Sequence, residues 1–253
     1  MKTRERASPR GILFDMDGTL LSETETPDQS WQKVCLQLAP QYTLSPEILL
    51  QAIRESYTAY KTAIKDDEEK QRRDRLDPFA VRVEMIEEAL ARVGKKDSQR
   101  ASIMVHAYEA LREAHRQLTP HALDTLQALR AKGIRLALLT NGNASYQRRK
   151  IQQHRLASWF DFILIEEEFG AAKSDTRIYE DALAQFHLPA QDVWMIGDDL
   201  AMDVATPQRS DILAIWFDPM IQGVPPASLI HPDHIIHQLP ELLELVETST
   251  PST

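Results

Sequence analysis

The sequence predicts an α/β fold: a doubly wound, mostly parallel sheet with an all-helical domain inserted after its first strand. Three observations carry that expectation. Beyond Thr119-Pro120, helix-like and strand-like segments alternate strictly. The strand-like runs are continuously apolar, as parallel strands covered on both faces should be. The stretch 22–116 reads as helix throughout and is too long for one crossover. Residues 1–21 and 117–253 are therefore assigned to a Rossmann-like core, and 22–116 to the helical insertion.

Residues 11–14 (GILF) are a short apolar run that stops at DMDGTL (15–20), a buried strand feeding a polar loop. Trp31, Val34, Cys35 and Leu38 then form one helical stripe. Ser45-Pro46 reads as an N-cap followed by proline at the first helical position. The helix it opens runs toward Lys65 and dissolves into DDEEKQRRDR, a charge block with no apolar face. Asp77-Pro78 starts a helix carrying Phe79, Val83, Ile86, Leu90 and Val93, and Gly94 stops it. Ile103, Ala107, Ala110, Leu111 and Ala114 mark one more. The alternation that follows runs helix 120–132, strand IRLALLT, helix 145–154, strand FDFILI, helix 176–186 and strand DVWMIG. A short helix after Asp199 leads to strand DILAIWF. The loop GVPPAS, a short strand at HIIHQ and a closing helix, LPELLELVE, complete the chain. There is no repeat of solenoid period.

The chain has 253 residues, 26% charged and 43% hydrophobic, which is ordinary globular usage and excludes a disordered or collagenous chain. Its net charge of −9 gives no overall field for a nucleic-acid polymer or an anionic membrane. A small anion stays admissible, because a pocket or a bound cation can reverse the sign locally. No window approaches the roughly 18 apolar residues of a membrane span. The single cysteine, Cys35, excludes an intrachain disulfide and reads as a buried thiol. The start, MKTRERASPR, is basic with no apolar stretch behind it, so no secretory signal is expected and the expected location is cytoplasmic. The first ten residues and the final ETSTPST are expected to fray.

In doubly wound sheets, ligands bind at the carboxyl ends of the strands. Those ends carry Asp15, Asp17, Gly18 and Thr19, then Thr140, Asn141 and Gly142, then Lys173, then Asp198 and Asp199 with Asp203 one turn on. Carboxylates gathered at one edge repel and are costly to desolvate without a counter-charge. A hard divalent cation with oxygen ligands resolves this, and Mg²⁺ is the obvious candidate. The set then has the parts for phosphoryl transfer: a carboxylate nucleophile, a second carboxylic acid for proton transfer, and cations for the equatorial oxygens. Asp15 and Asp17 are two residues apart, so in extended chain their side chains lie on one side. Gly18 permits the unusual backbone of a sharp turn out of the strand.

DMDGTL, the strand-end TNG (140–142), Lys173 and GDDLAMD (197–203) together resemble the four ordered motifs of the haloacid dehalogenase superfamily. The stretch 22–116 resembles the helical C1 cap of its subfamily I. The resemblance implies an Mg²⁺-dependent phosphatase. In it, Asp15 is the nucleophile that becomes an aspartyl-phosphate, and Asp17 is the general acid and then the base. Thr140, Asn141 and Gly142 bind phosphate, and Lys173 neutralises it. Mg²⁺ is held by Asp15, the backbone carbonyl of Asp17 and Asp198, with Asp199 or Asp203 behind them. Dehalogenases of the superfamily lack the second acid, so Asp17 favours phosphate over halide chemistry. The phrasing TNG and EEEFGAAKSDTRIY is most similar to the branch of nucleotide 5′-phosphatases and N-acylneuraminate-9-phosphatase. Two departures stand out. The family has proline where Ser174 and Thr176 stand here, and Ser174 or Asp175 could cap the following helix instead. After Asp203 the chain reads ATPQRSD, whose Pro207 puts local packing in doubt.

The expected substrate is a small phosphorylated metabolite, and the expected state a monomer or homodimer. A phosphomutase using the same intermediate, a 2-haloacid dehalogenase and a non-catalytic phosphate-ligand binding protein are the alternatives. A receiver domain fits less well, because its acidic pair closes strand one without DGT and it has no cap of this length. Plainer readings stand beside the site residues. Asn141 and Gly142 could be turn formers. Asp199 and Asp203 could be carboxylates at a helix N-terminus. His231, His234 and His237 point to alternating faces of a strand, which argues against a metal site. RRDR (72–75) reads as a solvated loop or helix end, with a cap arginine contacting substrate as the alternative, and the acidic run 166–168 as a solvated face, with lining of the entrance as its alternative.

Overall fold

The computed structural model describes residues 8–249. Glu23–Arg116 forms one compact unit, and the segments before and after it form the other. The chain passes between units inside two short strands, β2 (Leu21–Glu23) and β3 (Arg116–Leu118), which pair with each other.

The larger unit begins with β1 (Gly11–Phe14). Beyond the helical unit follow α6 (Ala122–Ala131), β4 (Arg135–Thr140), α7 (Ala144–Gln153) and β5 (Phe162–Ile165). A short α8 (Glu166–Phe169) and α9 (Arg177–Phe186) lead to β6 (Val193–Gly197). A π-helical turn (Leu200–Ala205), α10 (Thr206–Arg209), β7 (Leu213–Phe217), β8 (His234–Ile236) and α11 (Glu241–Thr248) close it. The sheet order is β5-β4-β1-β6-β7-β8, and every neighbouring pair is parallel. From central β1 the chain winds outward first to one side, through β4 and β5, then to the other. The switch point is therefore at the carboxyl end of β1, where such sheets open a crevice.

Continuously apolar strands hide a spatial alternation. Ile12, Phe14, Leu136, Leu138, Trp194 and Ile196 face one layer, with Leu126 and Leu129 of α6 and Leu242 of α11. Leu13, Ala137, Leu139, Val193 and Met195 face the other, with Ile178, Tyr179, Ala182 and Phe186 of α9. Each strand thus buries both faces, and strand register follows from filling two layers at once.

The helical unit holds α1 (Pro27–Leu38), α2 (Pro46–Ile64), α3 (Glu68–Leu76), α4 (Pro78–Arg92) and α5 (Ser98–Ala114). Its own core includes Trp31, Val34, Leu49, Ile53, Ile86, Leu90, Met104 and Val105. Trp31 stacks on Tyr108 with centroids 4.2 Å apart. Cys35 lies in this core, and burial pushes its thiol up to about 12. The predicted caps are in place: Ser45 accepts from the Ile48 N–H and Asp77 from the Ala80 N–H.

The charge block after Lys65 corrects the sequence reading. Residues 68–76 form α3 although none of them is buried. Asp67 caps it by accepting from the Lys70 N–H at 3.0 Å. Glu68 and Glu69 sit in its first turn and Arg73 and Arg75 in its last, matching the helix dipole. Ion pairs Lys61–Asp74 and Arg73–Glu84 tie it to α2 and α4. Helix formation here rests on caps and charge order, which an apolar-periodicity search does not see.

The described ends are tied down rather than frayed. Ser8 Oγ donates to the Val246 and Ser249 carbonyls, and Arg10 pairs with Asp192. The rest of the expected tails lie outside the described residues. His237 Nδ1 meets the Asp218 carbonyl at 2.7 Å, and among the described residues the histidines form no metal-type cluster. No helix among those residues is long and apolar enough to cross a membrane.

Leu138 is fully buried in β4. Leu138→Ala is expected to cost about 2–5 kcal/mol through lost transfer energy and the cavity left behind. A lowered melting temperature in calorimetry checks this; an unaltered melt would contradict the two-layer packing.

Candidate active site

The site is built outward from the end of β1. The Asp15 N–H still joins the sheet, donating to the Ile196 carbonyl at 2.9 Å. Then the chain turns. The Leu20 and Leu21 N–H groups both donate to the Met16 carbonyl, and the Gly18 N–H donates to the Leu21 carbonyl. Gly18 has φ +93°, and a Cβ on it would lie 2.3 Å from Asp198 Oδ2. Position 18 thus needs glycine for its backbone and for the acid packed against it.

Asp15 is buried. Its Oδ1 accepts from Lys173 Nζ at 2.5 Å. Its Oδ2 is buried with no hydrogen-bond partner. Lys173 is buried too, and Nζ also donates to Asp203 Oδ1 at 2.7 Å. Asp203 sits fully buried on the π-helical turn, and its Oδ2 accepts from the Asp199 N–H at 3.1 Å. Pro207 lies four residues on and has no N–H for the Asp203 carbonyl, so the widened turn falls where the regular ladder must fail. Gly197 makes room for this acid: a Cβ there would lie 2.2 Å from Asp203 Cγ.

Asp15, Asp198 and Asp203 each place a carboxylate oxygen within 4.8 Å of the others. One ammonium faces three carboxylates. The charge balance shows in their proton affinities. Burial raises Asp15, opposed by Lys173. Burial raises Asp203 to about 7, again against Lys173. Burial and then the like charges of Asp15 and Asp203 push Asp198 up to about 8. Asp198 keeps an open face to solvent, which screens part of that shift. For Lys173, burial pulls down, but Asp15 and Asp203 outweigh it and hold the ammonium well above its ordinary value. An all-oxygen donor set with excess negative charge and an orphaned Oδ2 fits a hard divalent cation.

The Asp17 carboxylate does not join this cluster. It is half exposed, and its Oδ2 accepts from Lys150 Nζ at 2.7 Å and from Gln147 Nε2 at 2.9 Å, both on α7. The expectation of two carboxylates side by side assumed extended chain to residue 17. The strand ends at Phe14, before either acid, and the two go to different partners, Asp15 to Lys173 and Asp17 to Lys150 and Gln147.

Thr140 ends β4, almost fully buried, and its Oγ1 accepts from Gln147 Nε2. That leaves the threonine O–H as a donor for an anion. The next two residues are committed elsewhere. Asn141 Oδ1 accepts from the Lys173 N–H at 2.8 Å, and its Nδ2 contacts Met202 Sδ at 3.0 Å. The Gly142 N–H donates to Glu166 Oε2 at 2.9 Å, and Gly142 has φ +111°. Through these contacts both residues fix the loops at the end of β4. The Asp199 carboxylate likewise caps the π-helical turn, accepting from the Ala201 and Met202 N–H groups. Asp175 rather than Ser174 replaces the missing proline, its Oδ1 accepting from the Arg177 N–H.

Sequence reading missed several supports. The acidic run 166–168 is a solvated face in two of its three residues: Glu166 is buried and accepts from the Gly142 N–H, while exposed Glu167 accepts from the Ala144 N–H and exposed Glu168 grips Arg148. Tyr179 O–H donates to the Met202 carbonyl and Trp216 Nε1–H to the Asp198 carbonyl. Gln147 and Lys150 carried a usable signal, since residues three apart share a helix face.

The sequence model of the haloacid dehalogenase-like hydrolases matches residues 9–211. The chain belongs to this family. It is 36% identical to a phosphoserine phosphatase of Thermus thermophilus over 142 residues, 56% of this chain and 55% of that protein. It is 25% identical to the N-acylneuraminate-9-phosphatase of Rattus norvegicus over 249 residues, 94% of each. Across the first curated relatives the chain spans about half to three-fifths of their length. A HAD-hydrolase of Bacillus subtilis bound to magnesium, YfnB, shares its fold with a TM-score of 0.65 at 21% identity, over 94% of this chain and 98% of that one.

Gly197→Ala is expected to displace Asp203 and to cost about 1–3 kcal/mol through overpacking, read as a lower melting temperature. A second expectation concerns pH. Asp203 and Asp198 have folded values of about 7 and about 8 against 3.8 for the free side chain. The metal-free folded form therefore binds more protons, and the stability this gives is fully present below about pH 4 and lost progressively as pH rises from there through 7 to 8. A divalent cation competes with those protons. Added Mg²⁺ should raise the melting temperature more at pH 8 than at pH 6, and equal shifts would count against the cluster as its site.

Proposed function

We propose that the chain is a Mg²⁺-dependent phosphatase acting on small phosphate monoesters through a phosphorylated Asp15. The observation that carries the reading is the buried Asp15 carboxylate, with Oδ1 on Lys173 and Oδ2 without a partner. A nucleophile so held has its carboxylate oriented through one oxygen, and the other is not spent on a protein donor.

In this reading Asp15 attacks phosphorus, and the ester oxygen leaves with the proton of Asp17. Asp17, now a carboxylate, takes a proton from water as that water attacks phosphorus. The Asp15–phosphorus bond breaks, inorganic phosphate leaves, and both acids return to their starting forms. Lys173 offsets charge on Asp15 and on the phosphoryl oxygens, and the Thr140 hydroxyl donates to one of those oxygens. Asp15 and Asp198 would hold Mg²⁺ with the Asp17 carbonyl, and Asp203 stands close enough to share the task. A bound Mg²⁺ supplies positive charge where the equatorial oxygens gather it. We assign the choice of ester to the helical unit Glu23–Arg116, in the manner of the caps it resembles. The acid at Asp17 supports ester over halide chemistry, since a halide leaves without a proton.

Phosphate release from sugar phosphates, nucleoside monophosphates, phosphoglycolate and an aryl phosphate, with Mg²⁺ or EDTA, tests this. Release that requires Mg²⁺ and falls at least about a thousandfold in Asp15→Asn is expected. Retained turnover in that variant would sink the mechanism. Recovery of an isomeric phosphate ester, with no inorganic phosphate, would replace the hydrolase by a mutase.

A further inference from the structure

We propose that Gln147 and Lys150 are positioning residues that aim the Asp17 carboxyl at the ester's leaving oxygen. The inference rests on reading Asp17 as the general acid and base.

The geometry is specific. The Gln147 amide nitrogen has two hydrogens and two acceptors, Asp17 Oδ2 and Thr140 Oγ1. One buried amide thus spans the proposed acid and the proposed phosphate-binding hydroxyl. Lys150 Nζ reaches the same Oδ2 at 2.7 Å. Both contacts fall on one oxygen, Oδ2, so they fix the orientation of the carboxyl plane together. The exposures agree: the Asp17 side chain is 42% exposed, whereas Lys150 is 13% and Gln147 3%. The acid is open toward solvent and gripped from behind.

The grip has a rigid base. Asn143 caps α7 by accepting from the Tyr146 N–H, and Glu167 accepts from the Ala144 N–H. Glu166 holds the Gly142 N–H just before the helix starts. Helix α7 is therefore fixed to the ends of both β4 and β5, and its side chains inherit that placement. Proton transfer depends on such placement, since a shift of about 1 Å can cost about a hundredfold in rate.

Leaving groups separate positioning of the acid from a merely structural role. A nitrophenolate leaves without a proton and an alkoxide does not. The value of kcat/KM covers steps only through loss of the leaving group, so its aryl-to-alkyl ratio reads the acid step. The experiment measures this ratio for p-nitrophenyl phosphate and the best alkyl phosphate of the panel, with Mg²⁺. Asp17→Asn should raise the ratio about a hundredfold, Gln147→Met and Lys150→Met about tenfold each, and Lys150→Arg should return it to within about threefold of the unaltered protein. Circular dichroism melts establish folding, and either methionine variant alone carries the test. An unchanged ratio in the methionine variants beside a raised one in Asp17→Asn overturns the positioning role and leaves the reading of Asp17 standing. An unchanged ratio in Asp17→Asn, or no phosphate from either ester, overturns both.

Discussion

The buried ammonium of Lys173 is the interaction on which the rest of this site depends. It joins Asp15, at the end of β1, to Asp203, beyond β6. Without it, buried carboxylates would face each other in a low-dielectric setting, where repulsion and desolvation both act against the folded form. Its own placement is secured through the backbone, because the Lys173 N–H donates to Asn141 at the end of β4. Asn141 in turn touches Met202, whose carbonyl accepts from Tyr179. Three strand ends are thereby tied through one lysine and one asparagine.

Space is managed as tightly as charge. Glycines at 18 and 197 each stand where a Cβ would strike an acid, Asp198 in one case and Asp203 in the other. The acids approach one another because the backbone beside them carries no side chain. The π-helical turn before Pro207 belongs to the same arrangement, since it carries Asp203 and its N-terminal Asp199 caps it. Two glycines and an irregular helix gather at the carboxyl edge, while β1, β6 and β7 behind it are buried along their whole length.

Much of this was legible. The succession of strands and helices along the chain followed from apolar runs and their alternation, and the acids and the lysine from their places at strand ends. What stayed hidden had physical reasons. Glu166 looked solvated because its neighbours in sequence are acidic; its partner is a backbone N–H, which a sequence does not display. Helix α3 was missed because it buries nothing. The loop contacts of Asn141 and Gly142, with Lys173, Met202 and Glu166, also lay outside the reach of sequence pattern. The side-by-side placement of Asp15 and Asp17 did not follow, since β1 ends at Phe14 and the period of a strand no longer applies at residues 15–17.

That failure has a chemical meaning. Asp15 is buried and held by another buried charge, so its position is fixed and its exchange with solvent small. Asp17 is half exposed and held through one oxygen by α7. A group that forms a bond to phosphorus gains from immobility, because attack depends on distance and angle. A group that gives up a proton and later takes one back must reach a leaving oxygen and then a water. Two aspartates side by side in extended chain would share one environment and tend toward one behaviour. Sending them to different partners gives each the surroundings its proposed task requires, and it follows from a chain that has left the strand at Phe14, before either acid.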